Sequence, residues 1–169
     1  MAQDLLQEGD RFEQRLAELD EGLGDRRFGI TRSAGGKLFY LLRGRQDRQV
    51  KLVMRDRLDG VEKLLVDPDV QAQRTGVPHA VNYFTPSWDG RHVAFGMSAG
   101  GSEDASLYVL DVRTGQQVGT PVPRVPADGV AWLPDSRAIT YNQLRQLSAD
   151  DAPSETYLDP AVYLLRLGD

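Results

Sequence analysis

Gly90-Arg91-His92-Val93-Ala94-Phe95-Gly96 decides how this chain is to be read, because its plan recurs. Gly36-Lys37-Leu38-Phe39-Tyr40-Leu41-Leu42 precedes it, and Ser136-Arg137-Ala138-Ile139-Thr140-Tyr141 follows it. Each is a polar turn feeding an alternating apolar run, the pattern of a half-buried strand. A second apolar run follows each: Val50–Arg55, Leu107–Val112 and Val162–Leu167. These end in turns at Asp59-Gly60, Thr114-Gly115 and Leu167-Gly168, so the turn glycines lie 55 and 53 residues apart (115−60 and 168−115). A repeat built of four short strands over roughly 40 to 50 residues signals a β-propeller. Such rings close with about four to eight blades, and this chain has room for about three.

Reading outward, turn signals at Gly35-Gly36, Asp59-Gly60, Asp89-Gly90, Thr114-Gly115 and Asp135-Ser136 separate β-rich runs. They predict strands near 27–31, 37–43, 49–55, 61–66, 80–85, 91–97, 106–112, 117–120, 129–133, 137–142 and 161–167. The turns Pro86-Ser87-Trp88-Asp89-Gly90 and Trp132-Leu133-Pro134-Asp135-Ser136 share a Trp, a Pro and an Asp followed by a small residue. Residues 67–79, with Pro68, Gly76 and Pro78, read as a loop, and so do residues 143–160. Residues 3–20 read as an amphipathic helix with Leu5, Phe12, Leu16 and Leu19 on one face. Gly22-Leu23-Gly24 is its stop. The expected organisation is therefore mainly β. A helix and linker occupy 1–26, and a partial propeller of about three four-stranded antiparallel blades occupies 27–169.

Composition narrows the function classes. The 169 residues are 40% hydrophobic and 27% charged, with a net charge of −5. No apolar run approaches the ~18 residues of a membrane span. The first ten residues lack the basic start and apolar core of a signal peptide. The expectation is a cytoplasmic protein, or a periplasmic one if an upstream signal has been removed. Without cysteine there is no disulfide, thiolate metal site or cysteine nucleophile. Nucleic-acid binders carry a basic patch. The nearest thing here is Arg43, Arg45, Arg48, Arg55 and Arg57, interleaved with acids. No nucleic-acid, membrane, cofactor or metal partner is expected. Asp150, Asp151, Glu155 and Asp159 read as a solvated loop, because calcium loops need a Gly-bearing turn with oxygens at alternate positions.

Gly96-Met97-Ser98-Ala99-Gly100 matches the G-x-S-x-G pattern of a hydrolase nucleophile elbow, which needs a strand turning sharply into a helix. Here Gly101 to Ser106 lead straight to another strand. His79 and His92 are the only histidines. His92 lies six residues before Ser98, about 20 Å away along a strand, whereas His79 stands in a loop at a distance the spacing leaves open. Ser98 is read as a strand-end turn residue and no catalytic residue is assigned. His92 reads as a strand-face residue with a hydrogen bond. Trp88 and Trp132 read as repeat-packing residues in equivalent turns. Tyr40, Tyr108, Tyr141 and Tyr163 are expected to pack between blades.

The order and spacing of these elements resemble the early propeller segment of the prolyl oligopeptidase family of serine peptidases, over roughly residues 27–169. The residues that carry the resemblance run from Gly35-Gly36-Lys37-Leu38-Phe39-Tyr40 through Asp59–Pro68 and Ser87–Ser98 to Gly101-Ser102-Glu103. They continue as Leu107–Gly115, Gly129–Asp135 and Val162–Gly168. The helix at 3–20 is similar to the segment leading into that propeller. The chain departs from relatives at Thr140-Tyr141-Asn142-Gln143-Leu144 and at Leu165, which leaves the subfamily open.

The resemblance implies a parent with a seven-bladed propeller capping an α/β-hydrolase domain. That domain, absent here, holds the Ser-Asp-His triad and cleaves short peptides after proline or, in related members, after basic residues. The chain would then be a non-catalytic propeller fragment that gates and size-selects peptides, its partners being the hydrolase domain and remaining blades. The alternative is a stand-alone β-sheet interaction module that self-associates. Either way, uncovered end blades predict a homo-oligomer for the isolated chain.

Overall fold

The computed structural model describes residues 26–146, 148, 151–152, 155 and 161–168. The helix expected at 3–20 lies outside the described residues. From Arg27 onward the chain builds three antiparallel sheets in succession. The first holds β1 (Arg27–Ala34), β2 (Lys37–Arg43), β3 (Lys51–Arg55) and β4 (Lys63–Val66), ordered β1-β2-β3-β4. The second holds β5 (His79–Pro86), β6 (His92–Ala99) and β7 (Ser106–Asp111), and the third holds β8 (Ala131–Trp132), β9 (Ala138–Gln143) and β10 (Ala161–Arg166). The architecture is a partial β-propeller, as the repeat predicted.

Among the described residues only the first blade has four regular strands. The strand expected at 117–120 is a looser fourth position in the second blade. There Gln117 bridges Leu110, Val122 bridges Leu107, and the Val118 N–H donates to the Val109 carbonyl at 2.8 Å. Gly119, at φ +71°, interrupts the run. Among the described residues the third blade shows three strands.

One expectation fails outright. Part of the predicted 67–79 loop is a helix, α1 (Pro68–Thr75). Pro68 and Gly76 bracket the helix rather than interrupt it. Asp67 caps it, accepting from the Asp69 N–H, Pro68 stands at its start, and Gly76 closes it at φ +76°. These positions suit both residues, since proline lacks only an N–H that would be orphaned there and glycine takes the left-handed cap without strain.

Side-chain alternation explains the packing. On blade 1, Phe39, Leu41, Leu52 and Met54 face blade 2, where they meet Val93, Phe95, Met97, Leu110 and Val112. The other face of blade 2 offers Ala94, Leu107 and Val109 to Val125, Trp132, Ile139 and Tyr141. Residues Val93 to Ser98 of β6 are all buried, because β6 is the middle strand of the middle blade. Small residues alternate on its blade-3 side, and at Gly96 the Tyr83 ring takes the space. A Cβ on Gly96 would lie 2.1 Å from that ring. Tyr83 is thereby held with its hydroxyl donating to the Val125 carbonyl at 2.9 Å.

The remaining face of blade 1 carries Leu38, Tyr40, Leu42 and Val53. Phe28, Ile30 and Leu64 are exposed beside it, and Val162 and Leu164 are exposed on blade 3. Among the described residues no helix is long and apolar enough to cross a membrane.

Candidate functional site

The three sheets converge at their first strands. β1 lies against β5, and β5 against β8, and each of the three is an edge of its own sheet. They line one groove of about 410 Å³, bounded by Thr31, Arg32, Ala34, Thr85, Trp88 and Ala131 among others. A cavity touched by the first strands of three successive blades lies on the side toward which the blades converge. It is the axial side of the propeller arc.

Turn chemistry holds that convergence. The Ser87 side chain is fully buried and closes its turn, donating from Oγ to Asp89 Oδ1 at 2.7 Å and accepting from the His92 N–H at 3.0 Å. The Asp89 N–H donates to Ser136 Oγ of blade 3 at 3.1 Å. Toward blade 1 the fit is steric, since a Cβ on Gly35 would lie 2.1 Å from the Asp89 carbonyl oxygen. Partial burial of Asp89 raises its pKa, but hydrogen bonds from Ser87 and the Arg91 N–H outweigh it and hold the carboxyl below its ordinary range.

The turns Pro86–Gly90 and Trp132–Ser136 are counterparts, as the sequence predicts, but the two tryptophans hold different positions within them. Ser87 N–H bonds to the His92 carbonyl, and Leu133 N–H to the Ala138 carbonyl, so Ser87 matches Leu133 and Trp88 matches Pro134. Trp132 sits in β8, is 6% exposed, and donates from Nε1 to the Thr85 carbonyl at 2.9 Å. Trp88 stands at the turn, is 66% exposed, and donates from Nε1 to the Trp132 carbonyl at 3.2 Å. The expected tyrosine positions also need correction. Tyr108 stacks on Phe95 and Tyr141 packs in the blade 2–3 core. Tyr163 is exposed and stacks on Tyr141 within its own blade, while Tyr40 is buried in a separate cluster with Leu42 and Val53.

Ser98 is buried within β6, opposite Ala80 of β5, and His79 is opposite Ala99. Alternation therefore points Ser98 and His79 to opposite faces of the sheet. His79 Nδ1 is engaged with the Val77 carbonyl at 3.1 Å. After Ala99 comes a turn at Gly100 and Gly101 and then β7, so no elbow forms. His92 stacks on Trp132 at 6.1 Å, and its buried Nδ1 has no hydrogen-bond partner, so the expected bond is missing there.

Charged groups elsewhere pair locally. Arg43 donates to the Asp47 carbonyl, Arg55 bonds Glu62 at 2.9 Å, and Arg57 pairs with Asp59 at 3.0 Å. Glu62 also accepts from the Tyr40 hydroxyl at 2.8 Å and from Arg26. Asp151 accepts from the Ser148 backbone N–H and, with Arg145 alongside, titrates low, at about 2. Among the described residues no three or more potential ligands cluster for a metal. Asp150 and Asp159 lie outside them. Beyond the axial groove, a cleft of about 720 Å³ opens between blades 1 and 2, where Lys63 Nζ donates to the Val112 carbonyl at 2.6 Å.

The arc of blades is shared with solved peptidases. A structure from a study of two prolyl endopeptidases superposes with a TM-score of 0.74 at 23% identity, covering 86% of this chain and 21% of that one. Prolyl oligopeptidase B from Galerina marginata, bound to a 35mer hydrolysis and macrocyclization substrate, gives 0.67 at 17% identity, covering 92% and 24%. Oligopeptidase B from Leishmania major gives 0.66 at 15% identity, covering 86% and 20%. This chain thus spans about a fifth to a quarter of the solved relatives it matches. At such identities the likeness speaks for the fold alone. The sequence itself matches the family described as prolyl oligopeptidase, N-terminal beta-propeller domain, over residues 1–169. With its blades converging on an axial groove and its sequence matched from end to end, the chain belongs to the prolyl oligopeptidase family, as part of the N-terminal β-propeller.

Proposed function

We propose that this chain is the non-catalytic, access-controlling portion of a serine peptidase, gating and size-selecting the peptides that reach a hydrolase domain elsewhere in the parent protein. The observation that carries this reading is the axial groove, lined by three edge strands, each open on one side, that turn interlocks hold in place. A rigid passage of that kind discriminates by size, since a folded or long chain must lose conformational freedom to enter it. In the parent, acyl transfer from peptide to serine is performed by residues outside this chain. Its partners there are the hydrolase domain and the remaining blades.

The test uses the full-length parent and a set of peptides of increasing length that share one cleavage sequence. Gating predicts that kcat/KM falls steeply with length, and that a variant lacking the propeller cleaves long and short peptides alike. Equal cleavage of long and short peptides by the intact parent would remove the reading.

A further inference from the structure

We propose that Trp88 and Arg32 form a docking platform in the axial groove for an extended peptide bearing an apolar ring side chain and a free C-terminal carboxylate. This rests on the reading that peptides pass along the axial groove, and it names the chemistry that receives them. Trp88 is the most exposed aromatic side chain of the described residues, at 66%, yet it is not free to swing. Its Nε1–H donates to the Trp132 carbonyl of the next blade. The indole has no other polar group, so what it shows the groove is an apolar ring face, suited to stacking. The Ser87–Asp89 turn that carries it is fixed by a buried serine.

Arg32 lines the same groove from β1. Its guanidinium lies 5.8 Å from the centre of the Phe84 ring, and no carboxylate pairs with it among the described residues. A guanidinium without a carboxylate partner favours an anion and disfavours a cationic peptide. Thr31, Ser33 and Thr85 add hydroxyls. As edges of their sheets, β1 and β5 each have one side without a neighbouring strand, which offers backbone donors and acceptors to an extended chain. Ala34 and Ala131 keep the walls low.

The measurement is a titration of the 15N-labelled 169-residue chain with Gly-Gly-Phe-Gly bearing a free carboxylate, its C-terminal amide, and Gly-Lys-Phe-Lys amide. The readout is the indole N–H signals of Trp88 and Trp132, assigned with Trp88→Phe. The free-acid peptide is expected to shift the Trp88 signal and leave that of Trp132 in place. The amide should bind more weakly and the lysine peptide most weakly. Trp88→Ala should weaken binding about five- to tenfold, the scale of one lost stacking contact. Arg32→Gln, an exposed change that leaves the core intact, should abolish the preference for acid over amide. A Trp88 signal that stays fixed at millimolar peptide, or both indoles shifting together, would overturn the proposal. So would an acid-over-amide preference that survives Arg32→Gln. If the platform fails while the full-length parent still discriminates by length, gating stands and only this site falls.

Discussion

Gly35 shows how much of the assembly rests on single atoms. Its φ is +54°, and a Cβ there would strike the Asp89 carbonyl of the next blade. Gly36 has φ +74° but nothing within 4 Å of a built Cβ. Gly36→Ala should therefore lose only about 1 kcal/mol of stability from the left-handed backbone. Gly35→Ala should lose about 2 kcal/mol or more, because the blade seam must also open. Urea unfolding of the two variants checks the difference. Glu62 supports a second prediction. Partial burial raises its pKa, but hydrogen bonds from Tyr40, Arg55 and Arg26 outweigh this and hold it below the ordinary value. A depressed carboxyl stabilises the fold above its unfolded pKa of about 4.3, and that contribution is lost as pH falls through the lower folded value. Thermal melts at falling pH should show Glu62→Gln with a shallower acid decline than the parent chain.

Among the elements, α1 is the one that stands where a loop is expected. Proline and glycine punctuate, but whether they break a helix or bracket it depends on the distance between them and on the cap. Asp67, Pro68 and Gly76 spell a start and a stop around eight residues, and that signal was present in the sequence. Asp67 has two duties, capping α1 and pairing with Lys51 on β3 at 3.0 Å. Asp67→Ala should cost about 1 kcal/mol through the cap. Asp67→Asn keeps the cap and loses the pair, and should cost well under 1 kcal/mol, since Lys51 retains Asp47 at 2.8 Å. Chemical denaturation of both variants separates the roles. The strands were far more legible, because alternation with flanking turns is a two-residue code. The strand expected at 117–120 dissolved into bridges because Gly119 breaks the ladder.

At the scale of the whole molecule, apolar side chains stand exposed on the two outer blades. Blade 1 exposes Phe28 and Ile30 beside the Tyr40 face, and blade 3 exposes Val162 and Leu164. Exposed apolar side chains on the end units of stacked repeats favour association. The isolated chain is expected to form an oligomer through these faces, and Phe28→Lys with Ile30→Lys should shift it toward monomer. Sedimentation velocity that found only an 18.8 kDa species at every concentration would refute this. The candidate site belongs to this scale too. Arg32, Trp88 and Trp132 lie 44 to 100 residues apart (132−88 and 132−32), and their meeting depends on three sheets converging. No local pattern announces it: the turns that carry the two tryptophans match in sequence, but neither marks Arg32 as a neighbour.

The sequence by itself determined the fold class, the position of most strands, and the family, because each follows from local periodicity and the order of repeats. Only the tertiary structure decided which strand edges face the axis, which tryptophan is buried and which is presented, and that Ser98 and His79 point apart. Those outcomes depend on the packing of one blade against the next, where a missing Cβ at Gly35 or Gly96 sets how closely two backbones or a ring may approach. Contacts between distant segments are a property of the packed sheets, and no window of sequence contains them.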